Sequence, residues 1–187
     1  MKILHIDSSI LGDQSATREL TAHAIDRLRS EYPDAEVERL DLVSNPLDHL
    51  TGGFPSANDH LRQLQSADIV VIGAPTYNFT VPTQLKAWFD RVAVAGETFR
   101  YTDSGSEGLL GEKRVIVAIA SGGHYEHGSA FEHNRSYVKA FFNFLGVEPE
   151  FASARGLAMG DEARAEGIQK ALTEIDQLVA AEEPVSA

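Results

Sequence analysis

The chain has 187 residues, of which 43% are hydrophobic and 24% charged, with a formal net charge of −12. These values are typical of one soluble globular domain with a sizeable core, and the negative charge argues against nucleic acid as a partner. The absence of cysteine excludes disulfides, thiolate metal sites and thiol redox chemistry, so any redox role requires a bound cofactor.

The sequence favours a cytoplasmic protein that does not bind membranes. Its longest apolar run, residues 69–75, is far too short to span a bilayer. The N-terminus reaches Asp7 without the apolar segment of a signal peptide. We interpret residues 1–181 as a single domain and residues 182–187 as a flexible tail.

Hydrophobic periodicity predicts strands that alternate with helices along the whole chain. In chain order these are a strand at 2–7, a helix at 17–31, a strand at 36–42, a helix at 60–66, a strand at 68–74, a helix at 81–95, a strand at 114–120, a helix at 134–145, a strand at 151–157 and a helix at 162–181. Five strands alternating with five helices predict an α/β fold, a parallel sheet with helices on both faces.

Apolar stripes support two of the predicted helices. The first carries Leu20, Ala24 and Leu28 on one face. The third has an apolar stripe of Leu85, Trp88, Phe89 and Val92. Pro82 is expected to open this third helix and Gly96 to follow its last turn.

The segment DSSILGDQSAT, residues 7–17, joins the first strand to the first helix. It has no cation before Arg18, but it carries the hydroxyls of Ser8, Ser9, Ser15 and Thr17. It matches neither the Walker loop nor the Gly-x-Gly-x-x-Gly fingerprint. A helix N-terminus flanked by hydroxyls can nevertheless bind a phosphate. The alternative is that Ser15 is only an N-cap and the other hydroxyls are solvated turn residues.

A second unusual loop, APTYNFTVPTQ at residues 74–84, follows the third strand. Its aromatic side chains, Tyr77 and Phe79, flank Asn78. Rings at this edge of a sheet suit the flat face of an aromatic cofactor, and turn N–H groups can donate to its ring atoms. The alternative is that both rings pack back over the core.

The loop SGGHYEHG, residues 121–128, follows the fourth strand. Its adjacent glycines allow the backbone to approach a ligand closely. The histidines at 124, 127 and 133 raise the question of a metal site, but His-x-x-His without a fixed carboxylate is a weak metal pattern. We predict no metal and expect exposed histidines, or histidines at a ring edge.

The three loops are expected to share one edge, because ligands of parallel sheets bind beyond the carboxyl ends of the strands. A phosphate site, an aromatic clamp and a glycine edge together fit flavin mononucleotide (FMN) best. The chain also resembles, over nearly its full length, the flavodoxin-like FMN-dependent NADH-azoreductases, also described as FMN-dependent NADH:quinone oxidoreductases. The matching motifs are SSIL (8–11) with Ser15, PTYNF (75–79) followed by QLKAWFD (84–90), TFRYT (98–102) with GLLG (108–111), and SGG (121–123).

This resemblance implies a flavodoxin-like, doubly wound sheet of five strands and one FMN per chain. It implies an enzyme that passes two electrons from NADH through the flavin to quinones or azo compounds in a ping-pong course. The phosphate residues it implies are Ser9, Ser15, Ala16 and Thr17. Those implied for the ribityl chain and the isoalloxazine ring are Thr76, Tyr77, Asn78 and Phe79, with Ser121, Gly122 and Gly123 at the pyrimidine edge.

The connection at residues 97–113 is long for a compact domain, and its aromatics Phe99 and Tyr101 argue against plain disorder. In the family the flavin sites lie at a homodimer interface, and such a segment can line the neighbouring pocket. The resemblance therefore implies a homodimer. The alternative is a surface loop held by its own aromatics.

Two other functions stay open. A flavodoxin-type electron carrier would share the fold and the flavin but would not consume NADH, and a flavin-free relative would bind another ligand. No residue is assigned as a catalytic acid, although Tyr77 and Tyr101 are possible proton donors.

Overall fold

The computed structural model describes residues 1–53, 55–126 and 128–180. The predicted tail 182–187, position 181 of the last predicted helix and His127 lie outside the described residues. The strands are β1 (Lys2–Asp7), β2 (Glu36–Asp41), β3 (Ile69–Pro75), β4 (Phe99–Thr102), β5 (Gly105–Gly108), β6 (Arg114–Ala120) and β7 (Glu150–Ala154). The helices are α1 (Ala16–Glu31), α2 (Asp59–Ser66), α3 (Thr83–Val92), α4 (Asn134–Phe144) and α5 (Asp161–Ala180), with a short 3-10 turn at Gly12–Gln14.

Five strands form one parallel sheet in the order β2-β1-β3-β6-β7, which confirms the predicted fold class. The chain runs outward from β1 to β2 and then returns to β3 on the other side of β1. The direction of winding therefore reverses between β1 and β3, where ligands bind in doubly wound folds.

Helices cover both faces of the sheet, so every side chain of β3 is buried. Helices α1 and α5 enclose one apolar cluster, which includes Ile3, Val71 and Ile116 of the strands. Helices α2, α3 and α4 enclose the other, around Trp88 and Phe142. The predicted apolar stripes of α1 and α3 are confirmed, since all their members are buried. Within the described residues no helix has the length and apolar character needed to cross a membrane.

Helix α3 is shorter than predicted at both ends. Pro82 is its N-cap and lies outside the first turn, and Ala93 is its C-cap. The Thr98 hydroxyl donates to the Val92 carbonyl at 2.8 Å and accepts from the Val94 N–H at 2.9 Å. The Thr98 side chain thus satisfies backbone groups at the C-terminal end of α3. The helix therefore ends before Gly96, which lies in the following turn.

The connection at 97–113 contains a β-hairpin formed by β4 and β5, which the sequence interpretation did not predict. Arg100 and Glu107 form a bidentate ion pair across the hairpin, with N···O distances of 2.8 and 2.9 Å. At its base the Phe99 ring packs on Phe144 with centroids 4.5 Å apart. The Leu110 N–H donates to the Leu145 carbonyl at 3.2 Å. The hairpin is thus fixed to the end of α4, while Tyr101 stays 77% exposed.

Candidate functional site

The loops after β1 and β3 meet at the point where the winding reverses, and Tyr77 joins them. Its hydroxyl lies 3.1 Å from Ser9 Oγ and accepts the Ile10 N–H at 3.2 Å. Ser9 Oγ in turn accepts the Leu11 N–H at 3.3 Å. The aromatic residue of the second loop therefore fixes the shape of the first.

A cavity of about 220 Å³ opens beside this junction. Eight of the eleven residues predicted to bind the cofactor line it, namely Ser9, Ser15, Ala16, Thr17, Thr76, Tyr77, Ser121 and Gly122. Asn78, Phe79 and Gly123 do not line this cavity. Asn78 borders a neighbouring groove on the other side of Tyr77, and Phe79 borders a smaller space beside Ser121.

The N-terminus of α1 forms one wall of the cavity. Ser15 is its N-cap and accepts the Arg18 N–H at 3.3 Å, as the structural alternative predicted. The other part of that alternative is wrong, because Ser9 and Thr17 are buried. Ala16 and Thr17 occupy the first two helical positions, where no preceding turn supplies a carbonyl for the backbone N–H groups. This wall thus offers N–H and O–H donors together.

The second loop contains a tight turn in an unfavourable conformation. Tyr77 and Thr80 exchange two backbone hydrogen bonds, at 2.9 and 3.2 Å. Asn78 and Phe79 between them both have positive φ, 47° and 74°. Such values suit glycine or asparagine but are strained for phenylalanine. A further bond, from the His133 N–H to the Phe79 carbonyl at 3.1 Å, holds the turn from outside.

The rings of the second loop do not pack over the core, so that alternative is wrong. Phe79 is 43% exposed and contacts Tyr125 and Phe131, with centroids 5.9 and 5.2 Å away. Together with the hydrogen-bonded Tyr77, this ring lies at the edge of the sheet where the sequence predicted it.

Another wall of the cavity is formed by the loop after β6, which is held against the loop after β7. The Leu157 and Ala158 N–H groups donate to the carbonyls of Ser121 and Gly122, at 3.1 and 3.0 Å. A Cβ atom at Gly122 would lie 3.2 Å from the Ala158 methyl group, so the absence of a side chain permits this approach. Leu157 and Ala158 also line the cavity, although the sequence analysis did not select them.

Of the three histidines considered for a metal site, the structure describes His124 and His133, and both are exposed. Among the described residues, no group of three or more histidine, aspartate or glutamate side chains is placed to hold a metal ion.

Arg18 does not point into the cavity. Its guanidinium forms two hydrogen bonds of 2.9 Å with Asp41 and also donates to the Ser9 carbonyl at 3.1 Å. The Arg18 hydrogen bonds hold the pKa of Asp41 well below its usual range. Arg18 thus anchors the first loop, and this acid explains why a cation is tolerated in the first turn of α1.

Behind the first loop lies a buried carboxylate, Asp7, which is 1% exposed. Arg39 Nη2 lies 2.8 Å from it, the Thr21 hydroxyl donates to it at 3.0 Å, and His5 Nε2 lies 3.3 Å away. Burial raises the pKa of Asp7, but the attraction of His5 and the hydrogen bonds from Arg39 and Thr21 outweigh burial and leave the pKa below its ordinary value. The carboxylate is therefore ionised and holds the end of β1 in place.

Arg164 is the charged cavity residue that the sequence analysis missed. It belongs to the first turn of α5, and its Nη2 donates to the Gln14 carbonyl at 3.2 Å. The sequence offered one usable signal, since α5 follows β7 and must begin at the same edge of the parallel sheet. The pairing of Arg164 with position 14, far away in the chain, could not be predicted from the local sequence.

Comparison with known proteins finds relatives that span nearly the whole chain. A family model described as a flavodoxin-like fold matches residues 1–179. An FMN-dependent NADH:quinone oxidoreductase of Xanthomonas campestris pv. campestris is 46% identical, with 95% of this chain and 99% of the relative covered. An azoreductase structure from Bacillus anthracis str. Sterne has a TM-score of 0.85 at 26% identity, covering 96% and 98% of the two chains. An FMN-dependent NADH-azoreductase from Bacillus anthracis str. Ames Ancestor, in complex with FMN, has a TM-score of 0.83 at 27% identity, covering 96% and 97%.

Proposed function

The chain belongs to the family of proteins with a flavodoxin-like fold, and on this premise we propose that it is an FMN-dependent oxidoreductase. It passes two electrons from NADH to quinones and azo compounds and holds one FMN per chain. The observation that carries this proposal is the cavity where the winding of the sheet reverses, lined by the hydroxyls and N–H groups of α1 and by Tyr77.

The residues of the cavity fit FMN chemically. Ala16 and Thr17 present backbone N–H groups, and Ser9, Ser15 and Thr17 present hydroxyls, which together suit a phosphate. Thr76 to Phe79 would hold the ribityl chain and the flat ring, and Ser121, Gly122 and Gly123 would contact its pyrimidine edge. FMN, when bound, supplies the two-electron chemistry, while the protein orients its ring and limits access to it.

The first experiment tests this assignment against the carrier alternative. We expect the purified protein to bind one FMN without a covalent bond, and NADH under anaerobic conditions to bleach the flavin absorbance. Nicotinamide and acceptor need close contact with the same ring and so bind in turn. Initial rates should therefore give parallel double-reciprocal lines. A flavin that NADH does not bleach would support the electron carrier, whereas intersecting lines would contradict a shared site.

A second prediction concerns the hydroxyls of the cavity. Replacing Ser9 or Thr17 by alanine removes a hydrogen bond to a charged phosphate, which is worth about 1.5–3 kcal/mol. FMN affinity should fall by about ten- to a hundredfold in fluorescence titrations. Ser30→Ala is the control, because it removes an exposed hydroxyl from the far end of α1. Unchanged affinity in both cavity variants would remove these hydroxyls from the phosphate site.

We further propose that residues 1–181 form one FMN-binding domain and that the protein is a cytoplasmic homodimer. The hairpin of β4 and β5 supports the dimer, since it presents the exposed Tyr101 ring beside a base that is fixed on α4. Its position suits a contact with a second copy of the chain, in which Tyr101 would reach the neighbouring site. NADH as the reductant favours the cytoplasm, where it is available.

A further inference from the structure

We propose that Arg164 binds the phosphate of FMN beside the N-terminus of α1, and that it sets the preference of the cavity for FMN over flavins without a phosphate. This role rests on the proposed function. Arg164 lines the same cavity as Ser15, Ala16 and Thr17, and it is the only charged residue among those described that line it.

The guanidinium is held near the phosphate wall but keeps most of its donors available. Its Nη2 bonds to the neutral Gln14 carbonyl, which immediately precedes the N-cap Ser15. Within the described parts of the chain, no carboxylate lies within 4.0 Å of the Arg164 nitrogens, even though Asp161 and Glu162 share its helical turn. A guanidinium has five N–H donors, so one bond to a carbonyl leaves the others for an anion.

Arg18, in the first turn of α1, differs from Arg164 because its donors are already in use. Its guanidinium is engaged by Asp41, Asp7 and the Ser9 carbonyl, and none of its atoms lines the cavity. The hydroxyls and N–H groups of α1 are neutral donors, and the chain as a whole carries a net charge of −12. Among the described cavity residues, Arg164 thus supplies the positive charge that offsets an incoming dianion.

The test compares two flavins on one protein. Apo-protein is titrated with FMN and with riboflavin, which carries the same ring and ribityl chain without the phosphate, and flavin fluorescence is followed. Arg164→Gln should weaken FMN binding by about ten- to a hundredfold and leave riboflavin binding unchanged. Arg164→Lys keeps the positive charge but lacks the planar guanidinium that can donate two parallel hydrogen bonds, and it should give an intermediate FMN affinity. The difference between wild type and Arg164→Gln should shrink as salt is added.

Lys170→Gln is the matched control, since it makes the same change in net charge at an exposed position on the same helix. It should leave both affinities unchanged. An equal loss of FMN and riboflavin binding in Arg164→Gln would mean that the residue only holds the Gln14 loop, and would overturn the proposal. So would an unchanged FMN affinity. If wild-type protein bound neither flavin, the proposed function itself would fail, which is a distinct result.

Discussion

Replacing Gly108 by alanine should lower the free energy of unfolding by about 3 kcal/mol or more, the range of severe packing defects. A Cβ atom at this position would overlap the backbone nitrogen of Gly146 and the carbonyl carbon of Leu145. Gly108 does not have a positive φ, so the penalty arises from lost space and not from backbone strain. The hairpin base would have to separate from α4.

The measurement is denaturant unfolding of the variant beside Ser106→Ala, an exposed position on the same strand. The control should stay within about 0.5 kcal/mol of wild type. No residue of the hairpin lines the 220 Å³ cavity of its own chain, so the direct effect of Gly108→Ala should be on stability. A variant as stable as wild type would contradict the close contact between the hairpin and α4.

The second large effect is expected at Asp7. Asp7→Asn removes the charge that Arg39, Arg18 and His5 face, and breaking a buried ion pair in this way costs about 3–5 kcal/mol. Because Arg39 is more than half exposed and can regain water, we expect about 2–3 kcal/mol. Asp90→Asn, which breaks an exposed pair with Lys86, should cost no more than about 1 kcal/mol.

The pH dependence gives an independent check on Asp7. Its pKa in the folded protein lies below the ordinary value of 3.8, so the folded state holds its proton less tightly than the unfolded chain. The contribution to stability is therefore complete above pH 3.8 and disappears as the pH falls through the lowered pKa. Unfolding midpoints should drop more steeply below this pH in wild type than in Asp7→Asn. Parallel profiles would mean that Asp7 does not titrate in this way.

The fold could be predicted from the sequence where burial was uniform. Residues 115–120 are apolar and buried throughout, and β6 (Arg114–Ala120) has the predicted bounds to the residue. The hairpin could not be predicted, because β5 has the sequence GSEG, which has no strand propensity of its own. Its existence depends on the contact between Gly108 and Gly146, which are distant in sequence.

The candidate site was predictable to a similar extent. The loops after β1, β3 and β6 were selected because parallel topology brings them to one edge, and they supply most of the cavity wall. The loop after β7 and the first turn of α5 were not selected, although the same rule applies to them. Leu157, Ala158 and Arg164 have no distinctive local pattern, and only the folded arrangement brings them to the cavity.

The strained turn at Asn78 and Phe79 has a consequence for selection experiments on this protein. Glycine at position 79 would relieve a left-handed conformation that costs an ordinary residue about 1–2 kcal/mol. A library screened only for heat resistance would therefore enrich glycine there, and with it the loss of an exposed ring that borders the smaller space beside Ser121. A library screened for turnover should retain phenylalanine. At position 79, selection for thermal stability and selection for catalysis would therefore favour different residues.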